Sequence, residues 1–275
     1  MEANAKLNLS LALIGKEGGY HTLQTLMCVL EDYYDVIEIK PHNYFEVKNK
    51  GNYKFEGKNI LEKVADLFKE EFGGNVNFSV NIVKNIKTGG GLGGGSSNAG
   101  FFLHFLLLQN NISLSKEEFC KFAMKVGADV PFFYDKSPKI CTHYGEVLND
   151  VTFEMPKNLF ALLVLPDFEI NTAKAFSLVK HHHFTPNSKL ESFEDVLKSV
   201  NPLGLIANEI NPEISVILRE LKKAKGVLKA DVSGSGATCF ALFLTREEAL
   251  EASKNIVKYK TVISKIILDF SPNLF

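Results

Sequence analysis

Six of the ten residues from Gly89 to Asn98 are glycine, and the run Gly89-Gly90-Gly91-Leu92-Gly93-Gly94-Gly95-Ser96-Ser97-Asn98 stands directly before an apolar stretch, Ala99 to Leu108. Such a loop suits a flexible linker by composition. Linkers join domains, however, and this one joins an alternating strand pattern to a helical one. Each ordered glycine costs up to about 1 kcal/mol relative to alanine. A fold tolerates that where backbone must pass close to a ligand. Ser96, Ser97 and Asn98 are good N-cap residues for a helix predicted from about Ala99. Free loop N–H groups at the positive end of a helix bind anions, so the expected ligand is a phosphate group. Gly89, Gly91 and Gly94 also match the dinucleotide pattern G-x-G-x-x-G, but the acidic residues about 20 positions on, Glu117 and Glu118, fall in a helix start. No Gly-Lys-Ser/Thr of a Walker loop is present.

Lys6 and Asn8 fall on one face of a strictly alternating segment, Lys6 to Leu13, with Leu7, Leu9, Leu11 and Leu13 on the other. Asp129, in Gly127-Ala128-Asp129-Val130-Pro131, is either a turn residue ahead of the proline or a proton acceptor. Tyr20 and His21 follow Gly18-Gly19, a pair suited to a tight turn that presents both rings; they could equally staple the apolar run Leu23, Leu26 and Met27. Thr172 and Phe176 sit four apart in Asn171-Thr172-Ala173-Lys174-Ala175-Phe176, where Phe176 is as well explained as a core residue.

The loop resembles that of the galactokinase, homoserine, mevalonate and phosphomevalonate (GHMP) kinase superfamily. Its long form is similar to the branch that phosphorylates the 2-hydroxyl of a diphosphocytidyl methylerythritol in the non-mevalonate isoprenoid precursor pathway. Ala5-Lys6-Leu7-Asn8-Leu9, Gly18 to Leu26, Gly127 to Phe133 and Ser233-Gly234-Ser235-Gly236-Ala237 match further motifs of that branch in order. There are two departures. Lys87 stands where the family has proline, which adds a charge near the phosphates, and Gly18 stands where it has aspartate.

The resemblance implies Asp129 as catalytic base with Lys6 beside it. It implies ATP held by Lys87, Gly89, Gly90, Gly91, Leu92, Gly93, Gly94, Gly95, Ser96 and Ser97, with Mg²⁺ whose ligands the sequence does not identify. It places Asn8, Tyr20, His21, Thr172 and Phe176 around the cytidine-bearing substrate. The chemistry agrees, since phosphoryl transfer needs charge neutralisation, positioning and a destination for the hydroxyl proton. The alternatives are a relative acting on homoserine, mevalonate or a sugar, and a non-catalytic nucleotide sensor. Intact Lys6 and Asp129 count against the sensor.

The elements that must position these residues are predicted as strands over Lys6 to Leu13, Asp35 to Ile39 and Val76 to Ile82, and helices over Asn59 to Phe72 and Ser115 to Val126. The last opens with a Ser115/Glu118 capping box. After about Asn149 the order is strand (Phe160 to Leu165), helices through Lys225, strand (Val227 to Val232), turn (Ser233 to Ala237), strand (Thr238 to Leu244), helix (Glu247 to about Lys258) and strand (Thr261 to Leu268). That is the split βαβ, ferredoxin-like order. The expected fold class is α+β in two domains, an S5-like α/β unit over residues 1–150 and a ferredoxin-like unit over 151–275, with the active site between them.

With 31 basic and 32 acidic side chains and a formal charge of −1, a nucleic-acid or anionic-membrane partner is disfavoured. The expected partner is a small molecule carrying a cytidine diphosphate group, with the chain acting as a monomer or homodimer. Cys28, Cys120, Cys141 and Cys239 have no CxxC spacing and read as small buried residues in a reducing compartment. The N-terminus lacks the apolar block of a signal peptide, so the expected location is cytoplasmic. His181-His182-His183 reads as a solvated loop, without second ligands at metal spacing.

Overall fold

The computed structural model describes residues 1–51, 53 and 59–269. The first half runs β1 (Glu2–Glu17), β2 (Tyr20–Pro41), β3 (Glu46–Asn49), α1 (Ile60–Phe72), β4 (Phe78–Val83), α2 (Gly94–Gln109), α3 (Lys116–Val126), β5 (Lys139–His143) and β6 (Val147–Asp150). The second half runs β7 (Phe160–Leu165), α4 (Thr172–Ser177), α5 (Phe193–Lys198), α6 (Pro202–Ile210), α7 (Glu213–Lys222), β8 (Lys229–Val232), β9 (Cys239–Phe243), α8 (Arg246–Ser253) and β10 (Lys260–Ile267).

β2 is the organising strand. It pairs antiparallel with β1, β4 and β5, and briefly with β10 through Leu30 and Val29. Gly18 and Gly19, both at positive φ (56° and 87°), close the β1–β2 hairpin. A two-residue turn of that kind matches the twist of the strands it joins. In the second half the strand order β10-β7-β9-β8, all antiparallel, is the ferredoxin-like arrangement.

Helices α1, α2 and α3 pack on the β2–β4 part of the sheet. Leu61, Val64 and Phe68, Phe102 and Leu106, and Phe119 and Phe122 meet Val80 and Ile82 there. α2 is buried nearly all round, which is why its sequence shows no polar stripe. A second core joins β7 and β9 to α6, α7 and α8. A third, built from Leu7, Leu9, Leu26, Leu163 and Phe240, unites the two halves.

Several expectations need correction. β1 is buried on both faces, with Lys6 and Asn8 each 4% exposed; its polar face looks into a cleft between elements rather than into water. The strand expected at Asp35 to Ile39 is the end of the much longer β2. α2 begins at Gly94, five residues earlier than predicted, with Gly93 as N-cap and no side-chain cap. Ser96, Ser97 and Asn98 therefore lie within its first turns instead of capping it. α8 runs from Arg246 only to Ser253; beyond it the chain leaves the helix, with Ile256 buried in the core and Val257 91% exposed. Of the histidine triplet, His181 and His182 are exposed in a short 3₁₀ turn, but His183 is buried and its Nδ1 accepts the Lys180 N–H at 2.9 Å. The Ser115/Glu118 capping box is present as predicted.

Candidate active site

The glycine loop is the shared wall of two cavities. The first, about 350 Å³, is lined by Asn59, Ile60, Lys84, Lys87, Thr88 and the loop from Gly89 to Ser96, with Asn98. The second, about 380 Å³, is lined among others by Lys6, Asn8, Asp129, Thr172, Phe176, Gly234 and Ser235. Gly91, Gly93 and Ser96 line both.

The loop's shape explains its composition. Gly91 and Gly93 sit at φ 74° and 64°, backbone that side-chain-bearing residues avoid. A Cβ on Gly91 would lie 2.1 Å from the carbonyl oxygen of Ser233, and one on Gly93 would lie 2.7 Å from Lys6 Cγ. The loop is thus wedged between the first strand and the β8–β9 turn. Ser233 Oγ donates to Gly91 O at 2.9 Å, Thr238 N–H donates to Gly90 O at 3.3 Å, and Lys6 N–H donates to Leu92 O at 3.0 Å. The segment 233–238 is both a turn between β8 and β9 and a wall of the cleft.

Without a side-chain cap, the first N–H groups of α2 remain available at the loop. Around them stand Lys84 and Lys87, each buried. Lys84 is paired with Asp35. Burial draws its ammonium below the usual lysine range, against the pull of that carboxylate. Two buried side-chain atoms of this cavity, Asn59 Nδ2 and Asn98 Oδ1, have no hydrogen-bond partner among the described residues. Unpaired buried amides are costly, and here they offer a donor and an acceptor to a polar ligand. Neither Asn59 nor Lys84 carries a local motif that would reveal its role.

In the second cavity Lys6 Nζ lies 3.5 Å from Asp129 Oδ2 and also donates to Asn8 Oδ1. Asn8 Nδ2 donates to Thr25 Oγ1 at 2.8 Å, which fixes the amide's orientation. Asp129 projects from a turn closed by the Val130 N–H to Gly127 O bond, just past the end of α3. Its side chain is 40% exposed whereas that of Lys6 is 5% exposed, so the carboxylate is reachable and the ammonium is fixed. Thr172 Oγ1 and Ser235 Oγ share a hydrogen bond at 2.8 Å.

Phe176 is half-buried and lines this cavity. His21 stacks between Phe176 (5.5 Å, 30°) and Phe184 (5.8 Å, 24°). Burial, then nearby Lys16, holds the His21 imidazole below its ordinary pKa. Tyr20 is 71% exposed at the hairpin tip and outside the cavity lining. Tyr144 lines the cavity in its vicinity. Sequence reading missed both Phe184 and Tyr144.

The profile described as GHMP kinases N terminal domain matches residues 59–136, and that described as GHMP kinases C terminal matches residues 185–260. The first stretch spans Asn59, the loop and Asp129 together, which makes the chain a small-molecule kinase of the GHMP class. A 4-diphosphocytidyl-2-C-methyl-D-erythritol kinase of Ruthia magnifica is 34% identical, covering 93% of this chain and 90% of that protein. One from Clostridioides difficile is 31% identical, covering 95% and 93%. The chain belongs to the 4-diphosphocytidyl-2-C-methyl-D-erythritol kinase family. A solved 4-(cytidine 5′-diphospho)-2C-methyl-D-erythritol kinase superposes with a TM-score of 0.82 at 25% identity, over 97% of this chain and 98% of that one. A homoserine kinase from Cytophaga hutchinsonii shares the fold, with a TM-score of 0.69 at 16% identity over 98% and 96%.

Among the described residues no group of three or more His, Cys, Asp or Glu side chains is arranged to hold a metal ion. No helix among them is long and apolar enough to cross a membrane. The four cysteines are free, and burial pushes the thiols of Cys28, Cys141 and Cys239 well above their usual pKa.

Proposed function

We propose that this chain transfers the γ-phosphoryl group of ATP to the 2-hydroxyl of 4-diphosphocytidyl-2-C-methyl-D-erythritol, in the cytosol, as a step of isoprenoid precursor synthesis. The observation that carries the reading is the loop shared by two cavities, with an ammonium–carboxylate pair on one side and the helix N-terminus reachable from the other. The nucleotide-side unit covers residues 1–150 and the ferredoxin-like unit 151–275, a reading supported by the irregular segment that opens at 151.

Lys87, Gly89, Gly90, Gly91, Leu92, Gly93, Gly94, Gly95, Ser96 and Ser97 hold the triphosphate through backbone N–H groups, the α2 dipole and one ammonium. Asn59 and Asn98 supply the unpaired amide atoms that a nucleotide would satisfy. Mg²⁺ bound together with the nucleotide would neutralise phosphate charge, and none of the described carboxylates is assigned as its ligand. On the acceptor side Asp129 accepts the hydroxyl proton as that oxygen bonds to the γ-phosphorus. The bond from that phosphorus to the β–γ bridging oxygen breaks, and ADP leaves. Lys6 favours the ionised carboxylate and stabilises negative charge developing on the attacking oxygen. Asn8, Tyr20, His21, Thr172 and Phe176 position the cytidine-bearing substrate.

The test is ADP release with ATP and four alcohols: the diphosphocytidyl methylerythritol, homoserine, mevalonate and galactose. The first should be turned over and the others little. Equal turnover of homoserine or mevalonate would remove the substrate assignment and leave the kinase class standing.

A further inference from the structure

A third cavity, of about 710 Å³, opens in the ferredoxin-like half and shares no lining residue with the two of the active site. α6 and α7 form two of its walls and the segment through β8 a third. β8 is the edge strand of its sheet, paired among the described residues with β9 alone. α7 and its C-cap turn Ser215, Leu218, Arg219, Lys222 and Lys223 to the cavity, the three- and four-residue spacing of one helix face. Ile214, Ile217 and Leu221 of the same helix are buried in the core.

The lining divides by chemistry. Val200, Leu205, Leu218 and Leu228 supply an apolar part, and Val200 and Leu205 are 63% and 51% exposed, apolar surface that the core leaves uncovered. Lys198, Arg219, Lys222 and Lys223 supply the cations. Lys198 and Lys223 have surface partners, Glu194 at 2.6 Å and Glu220 at 2.9 Å. Among the described residues Arg219 and Lys222 pair with no carboxylate. Asp231 is the one acidic side chain of the lining among the described residues, and it is engaged elsewhere. It accepts the N–H groups of Asn201 at 3.1 Å and Val232 at 2.8 Å, and lies 3.6 Å from Lys229 Nζ. Lys229 in turn donates to Val196 O and Ser199 O at 2.8 Å each and to Ser199 Oγ at 2.7 Å. The ions of the floor are thus spent within the protein, and the rim keeps the positive charge.

We propose that this cavity binds an amphiphilic phosphate ester, its head held by Arg219 and Lys222 and its aliphatic chain laid on Val200, Leu205 and Leu228, and that its occupancy is coupled to the acceptor cavity through the first turn of α6. A guanidinium fork matches phosphate oxygens, and the exposed apolar side chains give the chain a surface to cover. The coupling follows from the shared helix. Asn201, the α6 N-cap, and Gly204 line this cavity, whereas Leu203 between them lines the acceptor cavity. Asn201 Nδ2 donates to Val232 O at 2.8 Å and to Gly234 O at 2.7 Å, and Gly234 also lines the acceptor cavity. Gly204 keeps the helix close against β8, where a Cβ would lie 3.1 Å from Val232 Cβ. One helical turn is a wall of both cavities, so a ligand that fixes it from one side changes binding on the other. The binding site is independent of which alcohol is phosphorylated; the coupling rests on the function proposed above.

The experiment is calorimetry on the full-length protein with saturating ADP, which occupies the glycine loop, using octyl phosphate, inorganic phosphate and octyl glucoside. Octyl phosphate should bind about tenfold or more tightly than either the head or the neutral amphiphile. The double variant Arg219→Gln with Lys222→Gln, and separately Leu205→Gln, should each weaken octyl phosphate about tenfold. Both variants should keep wild-type thermal stability and wild-type turnover in its absence. In steady-state assays, saturating octyl phosphate should shift the wild-type KM for the diphosphocytidyl methylerythritol about fivefold and leave that of the double variant unmoved. Equal affinity for the three compounds overturns the proposal, as does unchanged affinity in either variant. Tight binding with no KM shift overturns the coupling. A dimer in solution that Leu205→Gln dissociates, with octyl phosphate unbound, overturns the site and assigns the face to a second copy of the chain. Failure of the wild-type protein to phosphorylate any cytidine-bearing alcohol would instead overturn the proposed function, and the calorimetry would still decide the site.

Discussion

Lys6 Nζ and Asp129 Oδ2 are 3.5 Å apart, although one lies on the first strand and the other on a turn after the third helix. The pair is asymmetric, an enclosed ammonium against a reachable carboxylate. Asp129→Asn keeps the shape and removes the proton acceptor. The expected result is a kcat lower by about 10²- to 10⁴-fold, the span typical of general-base loss, with ATP affinity nearly unchanged. Lys6→Met should act similarly. The double variant should lose far less than the product of the two, because the residues act as one unit. Steady-state kinetics with ATP binding by calorimetry decides it. A folded Asp129→Asn variant with near wild-type turnover would reduce Asp129 to a turn residue.

Neighbouring glycines of the loop should respond in opposite ways. Gly93→Val combines positive φ with a Cβ pressed onto Lys6, so ATP affinity should fall sharply while the fold is retained. Among the described residues a Cβ at Gly95, in the first turn of α2, meets only Ile60 Cγ2 at 4.0 Å. Gly95→Ala keeps its N–H and gains helix propensity of about 1 kcal/mol. Its affinity should stay near wild type with equal or higher thermal stability. Calorimetry on both variants checks this, and unchanged affinity in Gly93→Val would move the phosphates away from the loop.

Much of this was readable in the residues, for physical reasons that differ from place to place. The alternation from Lys6 to Leu13 placed Lys6 and Asn8 on one face. Burial of that face was not readable, because a polar stripe facing a cleft looks like one facing water. The start of α2 was missed because glycine reads as a helix breaker, whereas close approach to Ser233 and Lys6 decides this position. β2 escaped because its middle, Leu26 to Leu30, is buried without alternation. Tyr144 and Phe184 reach the site only through strand pairings and bridges, Leu23 with His143 and Leu13 with Phe184, and no local pattern announces such contacts.

Asp35 ties the approach to the loop to the central strand. It is fully buried, pairs with Lys84, and accepts the N–H groups of Asn85 and Ile86 at 2.8 Å each. Asp35→Ala leaves a buried ammonium, the buried Ile86 N–H and the part-buried Asn85 N–H without their acceptor. The expected loss is about 3–5 kcal/mol of stability, the usual consequence of breaking a buried pair from one side. Asp35→Ala with Lys84→Met should recover part of it, since the stranded charge is gone. Denaturant unfolding measures both; an Asp35→Ala loss under about 1 kcal/mol would mean that water replaces the carboxylate there.

His21 and His143, which contact the cavity-lining rings of Phe176 and Tyr144, should titrate on opposite sides of the ordinary value near 6.5. Burial lowers His21. The hydrogen bond that His143 donates to the Glu146 carboxylate is the largest cause raising its pKa, aided by the charges of Glu146 and Glu17. A raised folded-state pKa means that the hairpin clamp gains its full stabilisation below about 6.5 and loses it as pH rises through the folded value. Glu17 and Glu146 are the charged groups facing the ring. Hence KM for the cytidine-bearing substrate should rise on the alkaline side of the His143 titration, as the turn carrying Tyr144 loosens. Glu146→Gln should lower the His143 pKa and bring the KM rise to lower pH. Resolved imidazole proton shifts against pH, recorded beside KM, test the linkage. A His143 midpoint below 6.5, or a KM profile that ignores Glu146→Gln, would show that the clamp does not govern substrate binding.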